Sequence, residues 1–583
     1  VSRRQRKARA RHAPEPDYAR RQALVLGLLL VGFALLLGRA FERQVLEHEF
    51  LLEQGQRRYL RDLPLPAHRG QILDRHGEPL AVSTPMDDIW ADPRHLRPDH
   101  PLIPELAGLL DLTPEALRQR LREAAGRGFV YLRHAVRPEI SARIAALARR
   151  QRISGWLGRE RTYRRFYPAG EVTAQVVGLT DTDEHGIAGL EKSYDTLLAG
   201  HAGLRRVIRD AQHRILAEVE QVRPARNGRD LRLTLDRRIQ FLAYRELKRT
   251  VREHRAQGGS AVVLDARNGD ILALVNQPAY NPNDRRHLTA KGLRNRAVTD
   301  RFEPGSTMKP LVMASALDAG RVRPDTPIDT DPGYLKVGRN LVRDHRNYGL
   351  LDATSVLTKS SNVGITRIAL EFPPQDLWQT FHRLGLGQVP ASGLPGETAG
   401  VLPAWQGWGR FEQATHAFGY GLSLSTLQLA RAYTAVAGDG RLLPVRLVAG
   451  QDAAAPERVF SAATARTLRR MLETVTGPGG TATRAAIPGF RVAGKTGTVK
   501  KVVNGRYARR RYQALFVGLV PASDPRLVMA VMIDDPRGKA YYGGLVAAPL
   551  FARVMAGALR LLGVAPDALD DAGGRLARAE VSP

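Results

Sequence analysis

The longest apolar stretch lies near the start of the chain, where every position from Ala23 to Gly38 is apolar or glycine. If Arg39 extends its guanidinium outward, the stretch runs to Phe41. That is roughly 19 residues, or about 28 Å of helix, enough to cross the hydrocarbon core of a bilayer. Arg3, Arg4, Arg6, Lys7, Arg9, Arg11, Arg20 and Arg21 precede it, opposed by Glu15 and Asp17; Arg39 and Arg43 after it mix with Glu42, Glu47 and Glu49. The imbalance predicts a cytoplasmic N-terminus with the remainder outside. A cleaved signal peptide fits less well, because Gly38-Arg39-Ala40 puts a charge inside the cleavage-type triplet. A core helix is rarely free of charge on every face over such a length.

Further on, the pattern breaks into short elements. Leu46 to Leu60 has helical spacing, with Leu46, Phe50, Leu51 and Leu52 apolar and Pro64 and Pro66 as stops. Helices are also predicted over Thr113–Ala125 and Ile140–Arg150, within a basic, proline-studded region reaching about Arg232. After Asn227-Gly228 the composition changes. Leu231–Leu235 alternates as a strand does, and Asp236–Val251 has helical periodicity. Ser260–Leu264 and Asp270–Val275 form a hairpin pattern around the turn Asp265–Gly269, and Ala514–Val520 with Arg526–Ile533 forms another. Strands at both ends with helices between them predict one α+β domain whose sheet is closed by its two chain ends.

The length of 583 residues requires more than one folding unit. Composition is close to globular averages, with 43% hydrophobic and 25% charged residues, which excludes wholesale disorder and a multi-span membrane protein. Lys plus Arg number 88 against 58 acidic residues, a formal charge of +30. That excess fits nucleic acid, anionic lipid or an anionic polymer equally well. No cysteine is present, so disulfides, thiolate metal sites and cysteine nucleophiles are all excluded.

Three segments carry candidate chemistry. In Glu303-Pro-Gly-Ser306-Thr-Met-Lys309-Pro310 a helix is expected to begin at or near Ser306, which places Lys309 one turn on along the same face. A serine needs a base, and a lysine buried near another cation can be neutral and serve as one. A capping serine followed by a solvent lysine is the plainer alternative. In Lys359-Ser360-Ser361-Asn362-Val363-Gly364, Ser360 is a candidate proton relay and Asn362 a candidate amide contact, against the plainer reading of a helix cap. In Val492-Ala-Gly-Lys495-Thr496-Gly497-Thr498, preceded by strand-like Phe490–Ala493, the lysine and the two hydroxyls are candidates to bind a carboxylate, and Gly497 leaves room for close approach. Each segment alone is weak. The ordered set is a known combination of serine β-lactamases and penicillin-binding proteins.

With these motifs the chain resembles the class B high-molecular-weight penicillin-binding proteins, most closely the division-specific septal transpeptidases of the FtsI type. Arg69-Gly70 through Asp74-Arg75, Arg164-Arg165-Phe-Tyr167-Pro168 and Gly186-Ile-Ala-Gly189-Leu-Glu191 match the family's pedestal motifs; Gly419-Tyr420-Gly421, Gly479-Gly480-Thr481 and Tyr541-Tyr542-Gly543-Gly544 match its terminal domain. The resemblance implies a basic cytoplasmic tail over 1–22, a membrane helix over 23–41, a pedestal or dimerisation-type module over 42–232, a transpeptidase domain over 233–566 with a serine β-lactamase-like fold, and a loose tail over 567–583. It implies Ser306 as nucleophile, Lys309 as base, and Ser360 and Asn362 in proton relay and substrate contact. Lys495, Thr496, Gly497 and Thr498 would bind substrate, and Tyr541 and Tyr542 would form an aromatic wall. No metal or cofactor is expected.

The implied substrates are peptidoglycan stem pentapeptides, with β-lactams as covalent inhibitors. The implied partners are an FtsW-type glycan polymerase and other division membrane proteins, not nucleic acid. The implied place is the bacterial inner membrane, with the catalytic domain periplasmic. An elongation-type transpeptidase, a D,D-carboxypeptidase and a non-catalytic β-lactam sensor remain the rivals. A hydrolytic β-lactamase is disfavoured because Glu397, in Leu394-Pro-Gly-Glu397, lacks the following Leu-Asn.

Overall fold

The structure, a computed structural model, describes residues 18–47, 49–50, 60–209, 215–451, 454–503 and 505–568. The apolar stretch is a helix, Tyr18–Phe41, continued by a π-helical turn over Glu42–Leu46. Its large apolar side chains are exposed; Leu35 and Leu36 are each 70% exposed. It is long and apolar enough to cross a membrane. The terminal-domain helix Gly543–Leu561 has similar length and composition but is mostly buried, as a core helix is. Of the helix expected over Leu46–Leu60, residues 48 and 51–59 lie outside the described residues. Pro64, expected to stop that helix, instead lies inside the strand Leu60–Leu65. This strand is the edge of a three-stranded sheet with Gly203–Arg209 and Ile215–Arg223, and an edge tolerates a residue without an N–H.

The pedestal holds two clusters of elements. The long strand Pro79–Ala91 pairs with Ile72–Leu73, Val130–Val136 and Leu157–Phe166, and the helices Ile103–Leu109, Pro114–Glu123 and Pro138–Arg150 form a small separate core beside it. The predicted Thr113 start is a capping residue, its side chain accepting from Ala116 N. At the base of the pedestal the separated arginine and glutamate motifs meet. Glu191, fully buried, accepts from Arg69 Nε and Arg165 Nε, each at 2.7 Å, and Arg69 also reaches Asp195 at 2.7 Å. Removing Glu191 would leave two buried guanidiniums short of their counter-charge, a class of change that costs about 3–5 kcal/mol. The glycines of these motifs are contact residues: a Cβ on Gly70 would sit 2.0 Å from Arg229 O, and one on Gly186 would sit 1.8 Å from Glu191 O.

The terminal domain is built on a five-stranded antiparallel sheet in the order Ile271–Gln277, Gly258–Asp265, Leu527–Asp534, Arg506–Val520, Ala493–Val503. The first hairpin of the domain therefore pairs directly with its last, from Gly258↔Asp534 to Asp265↔Leu527. Both faces are covered. Gly259 approaches Leu247 of the helix Arg237–Glu253, while its neighbour Ser260 bonds Thr426 of the helix Thr426–Ala437 at 2.7 Å on the opposite side. Burial on two sides explains why the strand sequences are continuous apolar runs instead of alternating ones. Asp567, expected to open the loose tail, still accepts from Arg491 N at 2.7 Å and Ser523 Oγ at 2.6 Å. The α+β architecture is the expected one.

Candidate active site

Ser306 lies in a 3₁₀ turn, Gly305–Met308, and the α-helix proper begins at Lys309 and runs to Asp318. The helix start is thus three residues later than the spacing predicted. In a 3₁₀ turn residues i and i+3 eclipse, so Ser306 and Lys309 keep a common face. Gly305 is required there for two reasons: its φ is +55°, and a Cβ would meet Val499 at 2.3 Å. The turn is fixed from three further sides. Gly305 N donates to Gly419 O at 3.0 Å, Tyr433 OH donates to Thr307 O at 2.7 Å, and Glu303 accepts from Gly421 N at 2.8 Å and Tyr507 OH at 3.0 Å.

The second motif divides the two roles that its sequence left open. Ser361 takes the structural one: its hydroxyl accepts from Gly364 N at 2.8 Å and caps the helix Asn362–Ala369. Ser360 is thereby free to face the site. It is held at φ +58°, a strained conformation for a residue with a Cβ. Its Oγ accepts from Lys309 Nζ at 3.2 Å and from Lys495 Nζ at 2.9 Å. Lys309 Nζ also donates to Asn362 Oδ1 at 2.7 Å and to Ser360 O at 2.5 Å. Among the described residues, all the hydrogen bonds of Lys309 Nζ go to this second motif and not to Ser306.

Asp344 was not singled out from the sequence, where it stands in an ordinary polar loop. Its carboxylate accepts from Ser361 Oγ at 2.5 Å, Val363 N at 3.1 Å and Asn362 N at 2.5 Å, and so fixes the start of the helix that carries Asn362. It is a positioning residue. Asp344→Asn is expected to slow penicillin acylation about tenfold or more, with the acylated product still forming at Ser306, because one amide oxygen replaces two carboxylate acceptors. A time course of fluorescent-penicillin labelling checks this, and an unchanged rate would reduce Asp344 to a fold contact.

The third motif lies within the edge strand Ala493–Val503 itself, not after the strand expected at Phe490–Ala493. Lys495 is fully buried. Thr496 Oγ1 meets Thr481 Oγ1 at 3.0 Å, and Thr498 Oγ1 accepts from Gly543 N at 2.9 Å. A Cβ on Gly497 would come 3.0 Å from Pro304 O, so this glycine lets the strand lie against the Ser306 turn.

Residues 259–556 match the penicillin binding protein transpeptidase domain and residues 64–233 the penicillin-binding protein dimerisation domain. The probable peptidoglycan D,D-transpeptidase PenA of Neisseria meningitidis is 43% identical over 550 residues, covering 94% of this chain and 93% of PenA. The chain belongs to the class B penicillin-binding proteins. The peptidoglycan D,D-transpeptidase FtsI of Escherichia coli is 40% identical, with 94% of this chain and 93% of FtsI covered. Among solved structures, penicillin-binding protein 3 of Mycobacterium tuberculosis, complexed with aztreonam, superposes with a TM-score of 0.66 at 28% identity, over 86% of this chain and 98% of that one.

Two further features adjoin the motifs of this class B protein. Tyr541 stacks on Tyr542 at 4.4 Å and on Tyr512 at 4.3 Å, making a three-ring ladder. Tyr512 was not predicted, and it stands directly opposite Lys500 in the register of the edge strand. The ladder leads to Gly543, whose N–H holds Thr498, so the expected tyrosine pair adjoins the third motif. The second feature is electrostatic. Burial first, and then the nearby Lys495, push the Lys309 amine well below the ordinary lysine range, while Asp344 works in the opposite direction. Burial brings Lys495 down to about 7. Two desolvated amines sharing one serine hydroxyl cannot both be protonated cheaply, and a neutral amine is what a general base requires.

Proposed function

We propose that this protein is a septal peptidoglycan D,D-transpeptidase that works through an ester on Ser306. The observation that carries the reading is the fully buried Lys309 amine, one turn from Ser306 and bonded to Ser360 and Asn362. Lys309 takes the proton as Ser306 Oγ attacks the penultimate D-alanine carbonyl of a stem pentapeptide. The C–N bond then breaks, and Ser360, lying between the two amines, passes a proton to the departing D-alanine. Lys495 with Thr496 and Thr498 binds the terminal carboxylate. The backbone N–H groups of Ser306 and Thr498 stabilise the oxyanion, a term worth about 3–4 kcal/mol per donor in other acyl transferases. An amine of a neighbouring stem then takes the acyl group and frees Ser306. Acceptor-dependent cross-linking on un-cross-linked glycan tests the reading; release of D-alanine without cross-links would make the protein a carboxypeptidase.

The septal assignment rests on likeness to proteins that include FtsI over 94% of the chain, and PenA is matched over the same share. Depletion should therefore give filaments with unfinished septa, and loss of cell width control would point to elongation instead. The basic N-terminal flank supports a cytoplasmic N-terminus and a periplasmic catalytic domain.

The anchor helix is the candidate contact with an FtsW-type polymerase. Gly27 and Gly38 fall on one stripe of the helix, with Gly32 away from it, and open space surrounds all three. Such a stripe lets a second helix approach closely. Replacing residues 23–41 by an unrelated apolar helix should leave penicillin acylation unaltered but remove polymerase-stimulated cross-linking. A chimera that cross-links like the parent would make the helix a tether only.

A further inference from the structure

The reaction proposed above needs no cluster of cations beyond Lys309 and Lys495, yet the hairpin that extends the third motif carries several. Residues 500–511 include Lys500, Lys501, Arg506, Arg509, Arg510 and Arg511 and no acidic residue. Two of these are neutralised at the root of the hairpin. Lys501 pairs with Asp534 at 2.6 Å, and Arg511 pairs with Asp535 at 2.9 Å. Glu303 is tied to the hairpin through Oε1, which accepts from Tyr507 OH and Gly421 N, while its Oε2 is buried away from the exposed cations. Lys500, Arg506, Arg509 and Arg510 are exposed, and among the described residues none of them forms an ion pair. A surface ion pair is easily formed where an acid is within reach. Four neighbouring cations without one leave a local field open to a ligand.

The placement of these charges indicates the ligand. The hairpin continues the strand that carries Lys495–Thr498, and Lys500 pairs across the ladder with Tyr512, which begins the tyrosine ladder back to Thr498. The pairing shifts between Lys500 and Val502, a bulge that interrupts the alternation of faces just before the arginines. Lys500, opposite Tyr512, is the link that joins the basic hairpin to the strand of the third motif.

We infer that this hairpin binds the carboxylates of stem peptides neighbouring the reacting one on the same un-cross-linked glycan strand. Every un-cross-linked stem ends in a carboxylate, so the strand is a polyanion with regularly spaced charges. The hairpin would hold it while Ser306 reacts with one stem. The inference rests on the transpeptidase reading and adds that the preferred substrate is polymeric.

The experiment compares the full-length protein with R506Q/R509Q/R510Q on two donors, a single-stem depsipeptide and un-cross-linked glycan strands, at low and high salt. Labelling by fluorescent penicillin serves as the folding check. The expected result is a rise of about tenfold in the apparent KM for strands, the scale of three exposed charge contacts. Turnover of the depsipeptide should move less than twofold. Salt should weaken strand use by the parent and affect the variant much less. Equal KM and equal salt dependence for parent and variant on strands would overturn the inference. So would a parallel loss on both donors, which would make the hairpin part of the single-stem site. A parent that turns over neither donor while still labelling would instead sink the transpeptidase reading.

Discussion

Ser306→Ala is expected to abolish covalent labelling by fluorescent penicillin and to lower cross-linking by about four orders of magnitude or more, the scale on which removing an acyl-transfer nucleophile acts. Ser306 is held by backbone bonds around it. Gly305 is tied to Gly419, and Thr307 to Tyr433. Neither contact uses the serine hydroxyl, so its removal should leave the turn and the thermal unfolding midpoint in place. Non-covalent recognition of the drug carboxylate at Lys495, Thr496 and Thr498 should also survive. The informative pattern is a folded protein that binds a β-lactam reversibly and never acylates. Undiminished labelling would move the nucleophile to another hydroxyl, with Ser360 next in line by position.

How much of this was readable beforehand differs from element to element. The sheet was legible because its strands are buried on both faces and bounded by turn residues; the Asp265–Gly269 turn lies where the sequence put it. Pro64, read as the stop of a Leu46–Leu60 helix, lies in an edge strand because an edge accepts a proline, and only knowledge of its partner, Gly203–Arg209, could reveal the edge. Lys309, Ser360, Asn362 and Lys495 were legible as motif residues, but their convergence was not. It depends on Ser361 taking over the cap and on Ser360 adopting a positive φ, which no propensity predicts. Asp344 and Tyr512 carried no local signal, since each acts through a partner distant in sequence. The reverse holds for Arg69, Arg165 and Glu191, whose motifs were visible but whose shared buried cluster was not.

Lys309→Arg is the sharper test of mechanism, because it keeps a hydrogen-bond donor on a side chain of similar length while removing the capacity to be neutral. The loss in acylation rate should still be about 10²–10⁴-fold, the range for removing a positioned general base. A guanidinium stays protonated in proteins and cannot accept the serine proton. It is also larger than an amine enclosed by Ser360 and Asn362, so unfolding must be followed alongside labelling. The pH dependence separates loss of the base from mere crowding. In the parent, burial and Lys495 hold the Lys309 amine well below its ordinary range. Acylation should therefore rise with pH as Lys309 loses its proton and fall away below that point, where the amine is an ammonium. The variant has no base to deprotonate, so its residual rate should lack that rise. An arginine variant that is stable, labels within a few-fold of the parent and keeps the parent's pH profile would leave Lys309 as an electrostatic partner. The proton would then have to leave Ser306 through Ser360 towards Lys495, the other buried amine within its reach at 2.9 Å.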